Sequence, residues 1–214
     1  MLKVRNSVFE TNSSSSHALV YSQTNQNRIE YKLETDNGVL TIHFRDYGWS
    51  GPESFYGFGT DDILASSNDK LDYVMTSLCR QLNWGEEHDT TYDEAKVMIA
   101  NGAIYENDEA RALLEKIQDL CPEIKEIKFE LNVDEYGDPF GSIDHDSQDL
   151  LDDEDLIKVI FNKGCLIVID NDNSDYYDAF NPTLKPGLNT GVQVYVGSDH
   201  TCSKYNITEE DFEE

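Results

Sequence analysis

Apolar positions along the chain alternate in some stretches and recur at helical spacing in others. His17-Ala18-Leu19-Val20-Tyr21-Ser22 reads as a first strand. Arg28–Glu34 and Val39–Arg45 flank Thr35-Asp36-Asn37-Gly38, and Asn-Gly is a strong hairpin turn signal, so these two arms predict a β-hairpin. In the second arm Leu40, Ile42 and Phe44 share one face and His43 falls on the other. Leu71, Val74, Met75, Leu78 and Leu82 predict a helix over about 69–82. Thr91-x-x-Glu94 is a capping box that opens a second helix, which ends at Asn101-Gly102. A third runs over about 108–120 with Ala110, Leu113, Leu114 and Ile117 on one face, stopped by Cys121-Pro122.

Beyond it, Ile127, Phe129, Leu131 and Val133 alternate, so 124–133 predicts a strand. Leu156, Ile157, Ile160 and Phe161 mark a helix over 152–162, opened by four acidic residues that suit the positive end of its dipole. Cys165–Ile169 is an unbroken apolar run and predicts a central strand; Gly191–Gly197 predicts another. Strands come first, then helices, then strands mixed with one helix. The expected fold class is therefore α+β: a single domain with a mixed, mainly antiparallel sheet and three to four helices.

Charge changes the picture. The chain carries a net −27 over 214 residues. Residues 1–50 hold five basic and five acidic side chains, and the remaining 164 hold 11 basic and 38 acidic. The N-terminal part is balanced, and the whole excess follows it. Such a field repels nucleic acid and anionic membrane and attracts proteins with basic grooves; it also confers solubility. No basic patch interleaves with aromatic residues, so direct nucleic-acid binding is not expected. The four cysteines are widely spaced with no Cys-x-x-Cys pair, and neither a signal-type opening nor a run of about 18 apolar residues is present. Reduced thiols in the cytosol are the expectation.

Three segments are rich in functional groups. Asn12-Ser13-Ser14-Ser15-Ser16-His17 reads either as a polar turn capping the first strand or as an anion site. In the second case Asn12 and Arg5 would help bind phosphate, and His17 would serve as base to a serine nucleophile. Asp144-His145-Asp146 reads as an exposed acidic loop or as an acid–base pair or partial metal site; adjacent side chains on an extended segment diverge, so Asp170 or Asp172 would have to complete a ligand set. Asp170–Asp178 places Asp170, Asp172 and Ser174 like a calcium loop. It has Asp175 where that loop needs Gly and Asn181 where it needs Glu, which excludes an EF-hand. No cofactor is expected, with weak divalent-metal binding left open.

The stretch Arg5-Asn6-Ser7-Val8-Phe9-Glu10-Thr11-Asn12-Ser13-Ser14-Ser15-Ser16-His17 resembles the opening of uncharacterised proteins from phages and prophage regions of Gram-positive bacteria. Asp46-Tyr47-Gly48-Trp49 and Ile143-Asp144-His145-Asp146-Ser147 resemble further elements of that group. So does Ile169-Asp170-Asn171-Asp172-Asn173, with Asp170 where the group has glycine. The resemblance implies a phage-type source and no defined activity. Together with the charge it leads to the expectation of a counter-defence protein, anti-CRISPR-like, that mimics nucleic acid and binds a host protein or ribonucleoprotein with a basic surface. Its expected contacts are Asp134, Glu135, Asp138, Asp144, Asp146, Asp149, Asp152, Asp153, Glu154 and Asp155. Trp49 and Phe55, with Tyr56 and Phe58, would be apolar anchors. The alternative is a small enzyme or phosphate-binding protein that uses Ser13–His17 with Asp144 and His145.

Overall fold

A computed structural model describes residues 15–22, 29–45, 47, 62–79, 92–131, 151, 155–171, 192–198 and 201–207; in the strands that contain residues 15–22, 62–64, 165–171, 192–198 and 201–207 it describes mostly backbone. The elements are β1 (Ser15–Ser22), β2 (Val39–Phe44), β3 (Asp62–Leu64), α1 (Ser67–Leu78), α2 (Tyr92–Ala100) and α3 (Ala103–Glu106). After them come α4 (Asp108–Leu120), β4 (Glu126–Leu131), α5 (Leu156–Phe161), β5 (Cys165–Asn171), β6 (Val192–Ser198) and β7 (Thr201–Ile207).

Helix ends follow local chemistry. Ser66 caps α1: its Oγ accepts from Asp69 N at 3.0 Å. Asn107 caps α4, where Oδ1 accepts from the backbone N–H groups of Glu109 and Ala110. The same side chain donates from Nδ2 to Leu78 O at 2.7 Å, so the cap of α4 also ties the end of α1. Ala110, Leu113, Leu114 and Ile117 are buried as the spacing predicts, and Cys121 N closes the helix on Ile117 O. Gly102, at φ 88°, ends α2 with its N–H on Ile99 O. Asp155 is the N-cap of α5.

The predicted hairpin is half right. Asn37 and Gly38 both have positive φ, as a two-residue type I′ turn requires, and Asp36 and Val39 exchange both backbone hydrogen bonds. The ladder stops after that one pair. The backbone N–H and C=O of Glu34 both bond the side-chain amide of Asn68, at 2.8 and 3.0 Å. An amide on the first turn of α1 thus takes the place of a strand partner, and the first arm leaves the sheet. β2 pairs instead with β4, in parallel, from Val39↔Glu126 to Phe44↔Leu131. Gly38 sets that register. Its carbonyl accepts from Lys125 N and Glu126 N, and a Cβ there would stand 3.0 Å from Glu123 O.

The expectation of one mixed, mainly antiparallel sheet with three to four helices is therefore corrected. Where side chains are described the chain is helix-rich, 51% helical against 24% strand. The packed part is built on a two-stranded parallel sheet, β2–β4. Parallel strands need a long crossover, and here the crossover carries α1 to α4. The remaining strands belong to a separate five-stranded sheet, β3-β5-β1-β6-β7. Alternation in 126–131 reports a half-buried strand; it says nothing of which strand lies beside it, nor in which direction.

The core joins both regions. Leu40, Ile42 and Phe44 of β2, the apolar stripe of α4, Val159, Ile160 and Phe161 of α5, and Leu19 and Ile167 of the larger sheet are all buried. Gly38→Ala should lower stability by about 1–3 kcal/mol, because an L side chain is strained at this φ and meets a carbonyl. Asn68→Ala should cost about 1 kcal/mol, the scale of a hydrogen bond whose groups regain water. Urea unfolding of the two variants checks both values and their order.

Candidate functional site

Helix α1 is buried all round at its centre. Lys70, Leu71, Asp72, Tyr73, Val74, Met75 and Thr76 are each at most 3% exposed. Leu71, Val74 and Met75 belong there by their chemistry. Lys70 and Asp72 do not, since Lys and Asp are rarely fully buried without partners. Each has found partners in a different direction.

Lys70 Nζ donates to Asn162 O at 2.9 Å and to Cys165 O at 3.0 Å. Asn162 is the C-cap of α5, so the ammonium meets carbonyls at the negative end of a helix. The Asn162 side chain in turn accepts from Gly164 N and shapes the turn into β5. Burial pushes Lys70 down to about 8, with the nearby Cys165 acting against that shift.

Asp72 faces β2. It accepts from His43 N at 2.9 Å, and its second oxygen lies 3.4 Å from an Arg45 guanidinium nitrogen. Burial pushes its carboxyl up to about 7; the His43 N–H and Arg45 oppose the rise, and Asp69 adds to it. Tyr47 closes the cluster, its ring edge-on to Tyr73 at 5.0 Å. The Tyr47 hydroxyl and Arg45 Nε are buried with no hydrogen-bond partner. Burial, and then the Asp72 charge, raise the Tyr47 phenol far above its ordinary value. Asp72, Tyr47 and Tyr73 are buried, while the Arg45 side chain stays partly exposed at the edge. The chemistry of this cluster is proton uptake and the fastening of β2, α5 and β5 to one helix.

The other described thiols are quiet. Cys79, Cys121 and Cys165 are buried; burial pushes Cys79 up to about 12 and raises Cys121. A shallow groove of about 200 Å³ lies beside the start of α1 and is lined by Glu30, Lys32, Glu34, Ser66, Ser67, Asn68 and Lys163. Glu30 and Lys163 pair across it, and charges of both signs leave it without a preferred ligand.

Among the residues singled out in the sequence, Ser15, Ser16 and His17 lie in β1 rather than in a turn. Their backbone groups run in a strand ladder, which is not the geometry of an anion nest. Ser15 pairs with Asn171, Ser16 with Asp170, and His17 with both Ile169 and Gly197. The serine run and Asp170, 154 positions apart in sequence for Ser16, thus meet at one end of the larger sheet. Asp155 has a structural task as a helix cap. His43 lies 3.5 Å from Glu130 on the surface, a solvated strand residue as its position predicts. Arg5, Asn12, Ser13, Ser14, Trp49, Phe55, Tyr56, Phe58, the acidic residues from Asp134 to Glu154 with His145, and Asp172 lie outside the described residues. Sequence reasoning missed Lys70 and Asp72. The sequence carries no signal for Asp72, which shares a helical stripe with Asn68, Asp69 and Thr76 and reads as part of a polar face.

No protein family, no curated protein and no solved structure matches the chain. Among the described residues no helix is long and apolar enough to cross a membrane, and no group of three or more His, Cys, Asp or Glu residues is placed to hold a metal ion.

Both buried charges link stability to pH, with opposite signs. Asp72 titrates at 3.8 in an unfolded chain and at about 7 in the fold. Between those values the folded protein keeps a proton that the unfolded chain has lost. The contribution is complete below the lower value and disappears as pH rises through the upper one. Lys70 behaves in the reverse sense. Its ordinary value is 10.5 and its folded value about 8, so its stability contribution is present above 10.5 and lost as pH falls through 8. Asp72→Asn should therefore remove a decline in unfolding free energy between roughly pH 4 and pH 7, and Lys70→Met a rise between roughly pH 8 and pH 10.5. Urea unfolding of wild type and each variant across pH measures the two differences.

Proposed function

We propose that the protein acts by binding. It is an acidic, phage-type counter-defence protein, anti-CRISPR-like, that occupies the basic groove of a host defence or nucleic-acid-processing protein or ribonucleoprotein in place of nucleic acid. The observation that carries this reading is how the charge is arranged. All ten carboxylates between residues 92 and 131 are exposed, against five basic side chains in the same segment. The next stretch is more extreme. Between Lys128 and Lys158 there is no lysine or arginine, and ten carboxylates fall from Asp134 to Asp155. A field of one sign over so much surface steers a partner of the opposite sign and slows approach of like-charged ones. The reading calls on no cofactor, on no direct contact with nucleic acid and on no membrane.

The enzyme alternative, with Ser13–His17, Asp144 and His145, gains one supporting observation, the β1–β5 register beside Asp170. The same register weakens its phosphate-binding form, because a carboxylate opposite Ser16 disfavours an anion there.

If binding is charge-steered, association with a basic nucleic-acid-binding complex of the host should slow sharply as salt is raised. Replacing Asp144, Asp146 and Asp149 together by Asn should slow it by about tenfold or more at low salt. Stopped-flow or surface-based association kinetics measure both effects. An association rate indifferent to salt and to these substitutions contradicts the reading.

A further inference from the structure

The two edges of the small sheet are unlike. On the outer side of β2, Val39 exchanges both backbone bonds with Asp36, and Asp72 holds the His43 N–H. On the far side of β4 no strand is paired among the described residues. β4 reads Glu126-Ile127-Lys128-Phe129-Glu130-Leu131, has no proline inside it, and keeps an unbroken register with β2. Such an edge presents a row of backbone donors and acceptors to any strand that fits it. The Glu126 N–H points to β2, where it meets the Gly38 carbonyl. Successive residues of a strand turn their backbone groups to opposite sides. Lys128 and Glu130 therefore also serve β2, and the N–H and C=O of Ile127, Phe129 and Leu131 face outward.

Side chains on the two faces of β4 select a partner. On the core face, Ile127, Phe129 and Leu131 continue the rows begun by Leu40, Ile42 and Phe44. Those three residues of β2 are fully buried, whereas Ile127 and Phe129 beside them are half-buried. Tyr105, edge-on to Phe129 at 5.8 Å, is exposed as well. The apolar rows thus run out at the edge of β4. The other face carries Glu126, Lys128 and Glu130, all exposed. Their signs alternate, so β4 is complementary to itself in some antiparallel registers and not in others. Centred on Lys128, self-pairing sets lysine against lysine and Glu126 against Glu130, and like charges directly opposite repel. Centred on Ile127, it sets Lys125 against Phe129. Centred on Phe129, it sets Lys128 of each copy against Glu130 of the other, Phe129 against Phe129, and Ile127 against Leu131. The residues that then exchange backbone hydrogen bonds are Ile127, Phe129 and Leu131, whose polar groups already face outward. Charge, backbone and apolar rows agree in this register.

We propose that the outer edge of β4 is an interface for a second copy of this chain, paired antiparallel through β4 and centred on Phe129. The two small sheets become one, in the strand order β2-β4-β4-β2. A two-fold axis passes between the two Phe129 residues, so every contact is made twice. Each copy covers the half-buried Ile127 and Phe129 of the other. The net charge of −27 on each chain opposes association, so the dimer forms at high protein concentration and at a salt concentration that screens the long-range repulsion. This pairing stands apart from the charge-steered binding and does not rest on it.

Sedimentation equilibrium of the whole protein tests the interface, over about 1–200 μM in about 0.3 M salt. The average mass should rise with concentration toward that of two chains. Lys128→Glu and Glu130→Lys should each weaken association by about tenfold or more, because each sets like charges against each other across the seam. Both side chains are exposed on the face away from the core, so the fold tolerates the exchange. An equimolar mixture of the two single variants should associate again, and so should the double variant, since opposite charges then face each other. Amide hydrogen exchange gives a second readout. The amides of Ile127, Phe129 and Leu131 should gain protection as concentration rises, whereas those of Glu126, Lys128 and Glu130, already turned to β2, should not. A single-chain mass at every concentration overturns the proposal. So does a dimer that both single charge reversals leave intact, or one that leaves the Ile127 and Phe129 amides as exchangeable as before.

Discussion

Two opposite charges on one buried helix hold this fold in place. Lys70 and Asp72 are two residues apart on α1 and reach to different parts of the molecule. Lys70 binds the carbonyls where α5 turns into β5, and Asp72 binds the backbone of β2 and faces Arg45. Each charge has lost most of its water, and each regains only part of that loss from its partners. Such groups are weak sources of net stability but strong constraints on geometry, since a misplaced helix would bury them with no partner at all. β2, the end of α5 and the start of β5 are all tied to α1 through these two side chains.

That constraint explains which parts of the fold are legible in the sequence. α4 is readable because its cap, its stripe and its stop are all local. The Asn37-Gly38 turn is readable for the same reason. The arm before the turn is not, because Asn68, 34 positions away from Glu34, takes over its hydrogen bonds. Nor is the parallel pairing of β2 with β4, which is decided by what the intervening helices bury. The candidate site divides along the same line. Residue types in Ser13–His17 and at Asp170 mark them as polar and reactive, but only the β1–β5 register brings Ser16 and Asp170 together. β3 and β7 give no periodic signal of their own, so Asp62 and Cys202 acquire their places, opposite Ile169 and Gly197, only through pairing.

The helical middle turns apolar stripes inward and carboxylates outward, so between residues 92 and 131 the negative field lies on the side away from the core.

The central functional claim is that this surface takes the place of nucleic acid on a basic partner. Competition tests it most directly. A basic host nucleic-acid-binding complex is loaded with fluorescent double-stranded DNA, and the protein is added while anisotropy is followed. The account predicts that DNA is released as the protein binds, and that excess DNA reverses the effect. Simultaneous binding of DNA and protein, with the affinity of each unchanged by the other, would contradict it.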